Sequence, residues 1–290
     1  MERQEWAVRA AGVFVCALAA LPACTLSAGG DGGDVDPVDA RAPGDELGED
    51  SALPGDTDAA PRADASGGGD GLIAGVGLTS GAQQPGGTSA ETASVSPAAQ
   101  ALVLLWVAST TGVETPSVPT ATGAGMGWEL VATRVRNGGG PRRISVLRSL
   151  SSAPQPGPVV IDFGAQPQSR ILWGITQHSG VDASGQSGAG AVVQVASAEA
   201  AGFESGAVVN LQPGEGPRSA TVGGVFSGAP SAMVPGPGLE EMTQDNIGTS
   251  TSGSFYLLSE YKPSFDGIVD ATWEGTAHWI AIGMELRPAP

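Results

Sequence analysis

The chain has 290 residues, only two cysteines and a formal net charge of −17 at neutral pH. This excess of acidic residues argues against a nucleic-acid partner, because phosphate binding requires clustered lysine and arginine. Two cysteines are too few for a disulfide framework or for a metal site built from cysteine.

The chain begins with a segment typical of a signal peptide. Residues 1–9 are weakly positive, and residues 10–21 form an uncharged apolar block. The block has the length of a signal-peptide core and is shorter than the roughly 20 residues that a membrane-spanning helix needs. We therefore predict a signal peptide over residues 1–23.

The sequence Leu21-Pro22-Ala23-Cys24 resembles the box at which bacterial lipoproteins are cleaved and lipidated. The resemblance implies a mature chain that begins at Cys24 with a diacylglycerol, usually joined by a third fatty acyl chain such as palmitate. Two or more acyl chains hold a protein stably at a membrane. Thr25 follows in place of Asp, which favours the outer membrane over the inner one. An ordinary secretory signal with a chance cysteine is the alternative.

Residues 24–70 are predicted to form a disordered acidic tether. Between residues 25 and 70, twelve acidic residues face two arginines, which gives a net charge of −10. Low hydrophobicity and like charge cannot offset the entropy of ordering, and such a segment spans roughly 40 Å. Calcium binding is the alternative, but neither Asp34-Val35-Asp36 nor Asp56-Thr57-Asp58 has the spacing of a calcium loop.

Residues 71–290 are predicted to fold as one all-β, jelly-roll-like sandwich. Short segments rich in Val, Ile, Leu and aromatic residues alternate with Gly, Pro, Ser and Asn, as in a sandwich of two sheets. The predicted strands are Ala101–Ser109, Trp128–Val135, Arg143–Leu150, Val159–Phe163, Arg170–Gln177, Ala191–Ala196, Ala207–Leu211, Ala220–Phe226, Ser254–Tyr261, Ile268–Trp273 and Ala277–Leu286, with weaker ones at Leu72–Leu78 and Glu91–Val95. The best turn signal is Asn137-Gly138-Gly139-Gly140-Pro141.

Strand signals in this part recur with equal spacing, which indicates an internal duplication. Trp128 lies sixteen residues before Ile144, and Leu239 lies sixteen residues before Phe255. A second pair of segments follows in each half, namely Val159–Phe163 with Ile171–Ile175, and Ile268–Trp273 with His278–Ile282. We expect two similar halves packed as one sandwich. Two separate domains, or a chance match between glycine-rich segments, are the alternatives.

Three short motifs resemble a β-sandwich domain of bacterial surface proteins and phage structural proteins. They are Met126-Gly127-Trp128-Glu129-Leu130-Val131, Gln177-His178-Ser179-Gly180-Val181-Asp182 and Trp279-Ile280-Ala281-Ile282-Gly283-Met284-Glu285-Leu286-Arg287-Pro288. The resemblance covers about residues 71–290. It implies a jelly-roll-like fold and an extracellular location, and it brings no catalytic residues.

The residues that could support nucleophilic or metal chemistry are few. The histidines are His178 and His278, and no Gly-x-Ser-x-Gly motif is present. His178 with Ser179 and Asp182 could be drawn as a triad, but a strand-end histidine bonded to the backbone is the preferred interpretation. For His278 we expect a role in lining a sheet face. The arginines around residues 134–148 are interpreted as a solvated sheet face, and we predict no metal and no cofactor.

Carbohydrate chemistry has two sets of candidates. Glycoside hydrolysis needs two carboxylates about 5 to 10 Å apart. The candidates are Glu240, Glu241, Asp245, Glu260, Asp266, Asp270 and Glu274. Binding of sugar instead needs aromatic rings on one exposed face, and an aromatic platform could be formed by Tyr256, Tyr261, Trp273 and Trp279. Core packing of the tryptophans is the alternative.

The features together predict a lipid-anchored protein of the cell envelope, at the outer membrane. Its β-sandwich is expected to be non-catalytic and to serve in binding or structural contact, with glycan as a candidate ligand. One alternative is a secreted polysaccharide hydrolase with a carboxylate pair near Glu240 or Asp266, and another is a passive structural lipoprotein without a ligand.

Overall fold

A computed structural model describes residues 72–112, 114–138, 140–248 and 253–290. The predicted signal peptide, Cys24 and the acidic tether lie outside the described residues. Within these ranges the regular secondary structure is β-strand, apart from one short 3-10 helix over Gln186–Ala191. No helix in the described ranges has the length and apolar character needed to cross a bilayer.

The described residues form seventeen strands. In chain order they are β1 (Ala74–Gln83), β2 (Ser89–Glu91), β3 (Leu102–Thr110), β4 (Thr120–Gly123), β5 (Met126–Gly127), β6 (Glu129–Arg136), β7 (Arg142–Leu150), β8 (Val159–Asp162), β9 (Arg170–Ser179), β10 (Val192–Glu199), β11 (Glu204–Asn210), β12 (Ala220–Ser227), β13 (Val234–Pro235), β14 (Glu240–Ile247), β15 (Phe255–Lys262), β16 (Ile268–Ala277) and β17 (Trp279–Leu286). This confirms the all-β prediction.

The strands form four stacked sheets. Two five-stranded antiparallel sheets lie at the centre, one with the order β1-β9-β3-β7-β6 and the other with the order β10-β17-β12-β15-β14. The sheet β2-β8-β4-β5 covers the outer face of the first, and the sheet β11-β16-β13 covers the outer face of the second. The sandwich therefore has four layers, with a separate hydrophobic core in each of the three interfaces.

The central strands are buried because both of their faces are covered. In β3, the run Leu102–Thr110 is at most 5 % exposed throughout. Its alternate residues Leu104 and Trp106 enter the central core, while Leu105 enters the core beneath the first outer sheet. A continuous apolar sequence is the pattern expected for a strand covered on both faces.

The two halves of the chain have the same topology. The first half places β1, β9, β3, β7 and β6 in the order in which the second half places β10, β17, β12, β15 and β14. Even the irregularities match, because the β6–β7 pairing shifts register between Leu130 and Ala132, and the β14–β15 pairing shifts between Glu241 and Thr243. This agrees with the duplication expected from the spacing. Each half contributes one central sheet and one outer sheet.

The two ends of the first central sheet carry different kinds of residues. At one end β1 begins, with Ala74 paired to Ser179 at the end of β9. At the other end β3 finishes at Thr110, while β7 and β9 begin at Arg142 and Arg170. The antiparallel order therefore brings basic residues together at the end opposite to the first described residue, Leu72.

Candidate functional site

The predicted aromatic platform does not form on an exposed face. Tyr261, Trp273 and Trp279 are 4 %, 6 % and 5 % exposed. Tyr261 lies in the central core and donates a hydrogen bond to the carbonyl oxygen of Ile73. The two tryptophans and the half-buried Tyr256 pack in the core beneath the second outer sheet. The four rings are therefore divided between two interiors, and core packing is the role that the structure gives them.

The two buried tryptophans of this set bind the same glutamate. Nε1 of Trp273 donates to the carbonyl oxygen of Glu204 at 3.1 Å, and Nε1 of Trp279 donates to its carboxylate at 2.8 Å. Buried indole N–H groups usually require such an acceptor. Glu204 thus completes the second outer core and leaves neither indole N–H for a ligand.

The histidines do not build a catalytic site. His178 is 1 % exposed, and its Nε2 lies 3.1 Å from Oγ1 of Thr176, so its partner is a side chain and not the backbone as predicted. Burial lowers the pKa of His178 to about 3. Asp182 accepts a hydrogen bond from the backbone of Ser184 instead of facing the histidine. The triad of His178, Ser179 and Asp182, which is not the interpretation preferred from the sequence, is therefore not supported.

His278 is half-buried and lies immediately before β17. Its Nδ1 lies 2.7 Å from the carbonyl oxygen of Gly202, and its ring centroid lies 4.0 Å from that of Phe203. Phe203 itself is 70 % exposed. The side chain is held against a loop, and its packing gives it a local structural role.

The candidate carboxylates do not form a cleft that resembles a hydrolase site. Glu240 and Glu241 are exposed on β14, and Asp266 forms an ion pair with Lys262. Glu260 is 1 % exposed, and neither of its carboxyl oxygens has a hydrogen-bond partner among the described residues. Burial, and then the charge of Asp270, raises the pKa of Glu260 to about 9. In the described part, no group of three or more His, Cys, Asp or Glu side chains could hold a metal ion.

A further polar cluster among the described residues is a row of arginines at the end of the first central sheet. Arg136 of β6 is paired with Arg142 of β7, Arg142 is paired with Thr110 of β3, and Thr110 is paired with Arg170 of β9. Residues directly opposite each other in a sheet point to the same face. Here that face is the one that meets the second central sheet. We call Arg136, Arg142, Thr110 and Arg170 the arginine row.

The guanidinium groups of the row are held by carbonyl oxygens and by an aromatic ring. Nε of Arg136 donates to the carbonyl oxygen of Ala200 at 3.4 Å, and Nη1 of Arg142 donates to that of His278 at 3.1 Å. The Cζ atoms of Arg142 and Arg170 lie 5.1 and 4.8 Å from the centre of the Phe255 ring. Cation–π contacts of this kind fix the planes of the guanidinium groups.

The arginine row concentrates positive charge in a poorly solvated place. Arg136 and Arg142 are 8 % and 6 % exposed. Burial, and then the neighbouring charge of Arg136, lowers the pKa of Arg142 to about 10. The described residues give Arg136 and Arg170 no ion pair with a carboxylate. Buried charges are normally paired, and the buried Arg136 has no carboxylate partner in the described part of the chain.

A pocket of about 220 Å³ opens on the row. Its lining residues are Thr110, Thr111, Gly112, Gly140, Pro141, Arg142, Ser169, Arg170 and Phe255. This set contains two cations, three hydroxyl groups and no carboxylate. The nearest acidic side chain in the adjoining depression, Glu114, accepts a hydrogen bond from Gln166 at 3.3 Å. The pocket can therefore supply hydrogen-bond donors and positive charge to an anion.

The prediction of a solvated face for the arginines around residues 134–148 is wrong for three of them. Arg136, Arg142 and Arg143 are at most 8 % exposed. One signal could have found the row. Arg136 and Arg142 flank the predicted turn at 137–141 at equal distance, so a hairpin places two like charges directly opposite each other. Such a pair is unfavourable unless something compensates it.

Comparison with known proteins gives no relative for this chain. No family model matches it, no curated protein is similar to it, and no solved structure matches its fold. The site is therefore characterised by its own residues, namely the arginine row, Phe255 and the hydroxyl groups around the pocket.

Proposed function

We propose that the protein is a lipid-anchored component of the bacterial cell envelope, at the outer membrane, that displays a non-catalytic double β-sandwich for binding an envelope glycan. The anchor is Cys24, and the acidic residues 25–70 are proposed to act as a spacer. The β-sandwich domain extends over residues 71–290.

The observation that carries this proposal is the position of the pocket relative to the start of the described chain. Leu72 precedes β1 at one end of the first central sheet, and β1 runs ten residues to Gln83 near the other end. A strand of this length covers about 30 Å. The arginine-lined pocket lies at that far end, so a body tethered through its first strand presents the pocket away from the attachment point.

The arginine-lined pocket and the candidate carboxylates differ in chemistry and exposure, and the difference favours binding over hydrolysis. The arginine-lined pocket offers fixed cations and hydroxyl groups, which suit recognition of an acidic ligand. Among the carboxylates proposed for hydrolysis, Glu240 and Glu241 are exposed and Asp266 is ion-paired. Glu260 lies near Asp270 but is only 1 % exposed, so this pair offers little access to a polysaccharide. We therefore do not carry the hydrolase forward as a second candidate.

The anchor is tested by labelling and fractionation. The full-length protein and its Cys24→Ala variant are produced in a bacterial host with radiolabelled palmitate. We expect label and outer-membrane location for the unmodified protein, and loss of both for the variant. An unlabelled, soluble wild-type protein would contradict the proposed anchor.

The binding role is tested with the immobilised full-length protein and envelope polysaccharide extracts. We expect retention of acidic polysaccharide without change in its chain length. If the protein instead shortens the polysaccharide, and Glu240→Gln or Asp266→Asn abolishes this activity, hydrolysis is established and the proposal is overturned.

A further inference from the structure

We infer that the pocket on the arginine row binds a phosphate or sulfate ester group, and that this group belongs to an acidic glycan of the envelope. The inference deepens the proposed function, on which it rests for the source of the ligand.

The charges of the arginine row favour an anionic ligand. The row places Arg136 directly opposite Arg142, and the pairing continues through Thr110 to Arg170. Like charges directly opposite each other in a sheet destabilise it, and here burial reduces screening by water. An anion in the pocket would lie beside Arg142 and Arg170, the two cations of the row that line it.

The second argument is the presence of donors without partners. Thr110 is 5 % exposed, and its Oγ1 has no hydrogen-bond partner in the described structure. The buried Nε of Arg170 likewise has none. Both residues line the pocket. Buried polar atoms are rarely left unsatisfied, and guanidinium groups bind phosphate-type oxygens through charge-assisted hydrogen bonds.

The third argument is size and rigidity. The pocket volume of about 220 Å³ is below the roughly 300 to 1,000 Å³ of sites for drug-sized ligands. It suits one charged group with part of its sugar, so the rest of a polymer would lie outside. Arg142 and Arg170 are oriented by Phe255 before any ligand binds, which reduces the entropy cost of binding.

The fourth argument comes from the duplication. By the spacing that matches the two halves, Arg136 corresponds to Ile247. Arg170 stands three residues before Trp173, and the equivalent position, three residues before Trp279, is Thr276. The second half therefore closes the same end of the same topology without arginine at these positions. The fold does not require arginine at these positions, which favours a role for the row in binding.

The test uses the full-length lipidated protein in detergent-free phosphatidylcholine nanodiscs and isothermal titration calorimetry. The probes are inorganic phosphate, glucose 1-phosphate, uncharged glucose and vesicles of phosphatidylglycerol. We expect binding of the first two probes and none of glucose. Loss of a charge-assisted hydrogen bond in Arg170→Gln should weaken glucose 1-phosphate binding at least about tenfold, and Thr110→Val should weaken it about threefold or more.

The matched control is Arg218→Gln, which removes the same charge from an exposed position before β12. It should change the affinity by less than about twofold, because exposed charges are largely screened. Thermal unfolding of each variant is measured first. If Arg170→Gln does not fold, Thr110→Val decides, since it keeps the side-chain shape and removes only the hydroxyl group.

Three results would overturn the inference. The first is the absence of phosphate binding by the wild type. The second is an affinity equal to that of the wild type in both folded variants, Arg170→Gln and Thr110→Val. The third is a loss of affinity in Arg218→Gln as large as that in Arg170→Gln. Binding to phosphatidylglycerol vesicles without binding to glucose 1-phosphate would overturn the glycan source. A soluble, unlabelled protein that still binds glucose 1-phosphate through Arg170 would refute the proposed anchor while leaving the pocket chemistry standing.

Discussion

Gly224 of β12 lies directly against the indole ring of Trp106 of β3. A Cβ atom at Gly224 would be 2.3 Å from Cε3 of Trp106, which is far below any real contact distance. Trp106 is 1 % exposed and belongs to the central core that joins the two halves. The largest side chain of that core therefore fits only because the opposite strand has no side chain at this point.

The first prediction concerns this close approach. Gly224→Ala should lower the free energy of unfolding by about 1 to 3 kcal/mol, because overpacking forces the ring or the strand to move. Urea denaturation measures the change. Gly127→Ala is the control, since a Cβ atom there has no neighbour within 4 Å, and it should stay within about 0.5 kcal/mol of the wild type. Equal effects in both variants would argue against tight packing at Gly224.

The second prediction concerns Glu260, whose pKa is raised to about 9 by burial and by Asp270. The folded state favours the protonated carboxyl, so this contribution to stability is complete below the unfolded pKa near 4.5 and is lost as the pH rises towards 9. Glu260→Gln cannot ionise. It should be more stable than the wild type at pH 7, on the order of 3 kcal/mol, and the difference should shrink at pH 4.5.

The measurement for Glu260 is the free energy of unfolding at several pH values between 4.5 and 9. Glu241→Gln serves as control, because Glu241 is the exposed cross-strand neighbour of Glu260. If Glu260→Gln has the same free energy of unfolding as the wild type at neutral pH, the carboxyl group of Glu260 is solvated or paired in solution.

The third prediction concerns His178, whose pKa burial lowers to about 3. The folded state favours the neutral ring, so the contribution of His178 is complete above the unfolded pKa near 6.5 and is lost as the pH falls towards 3. Between pH 6.5 and 4 this loss is on the order of 3 kcal/mol. In His178→Gln the slope of stability over this range should become flatter, and an unchanged slope would place the acid sensitivity elsewhere.

The fourth prediction links the pocket to stability. A ligand that binds only the folded state raises the unfolding temperature. Glucose 1-phosphate at about one hundred times its dissociation constant should raise the unfolding temperature of the wild type by about 5 to 10 °C. In differential scanning calorimetry, Arg170→Gln should show a much smaller rise at the same concentration, while Arg218→Gln should resemble the wild type.

Strands were the part of the fold most open to prediction from the sequence. Each of the eleven main predicted strands overlaps an observed one, because β-branched runs between Gly and Pro clusters reflect local preferences. β14 was missed. Its sequence from Glu240 to Ile247 is mostly polar, and it is a strand because β15 offers it a paired edge and Met242 packs on the central core.

The aromatic platform shows where proximity in sequence misleads. Tyr256 and Tyr261 belong to the same strand but are separated by an odd number of residues, so their side chains point to opposite faces of the sheet. Tyr261 enters the central core, and Tyr256 faces the outer one. Strand alternation would have separated them from the sequence alone. That both faces are covered is a property of the four-layer packing.

The amino-acid sequence by itself determined the class of the fold, the position of its main strands and the repeat of its two halves, because these follow from local propensities and from spacing along the chain. Only the tertiary structure decided the candidate site. Residues 110, 136, 142 and 170 become neighbours through strand register, which depends on pairing between segments distant in sequence. Burial of their charges depends in turn on the second central sheet that packs over them.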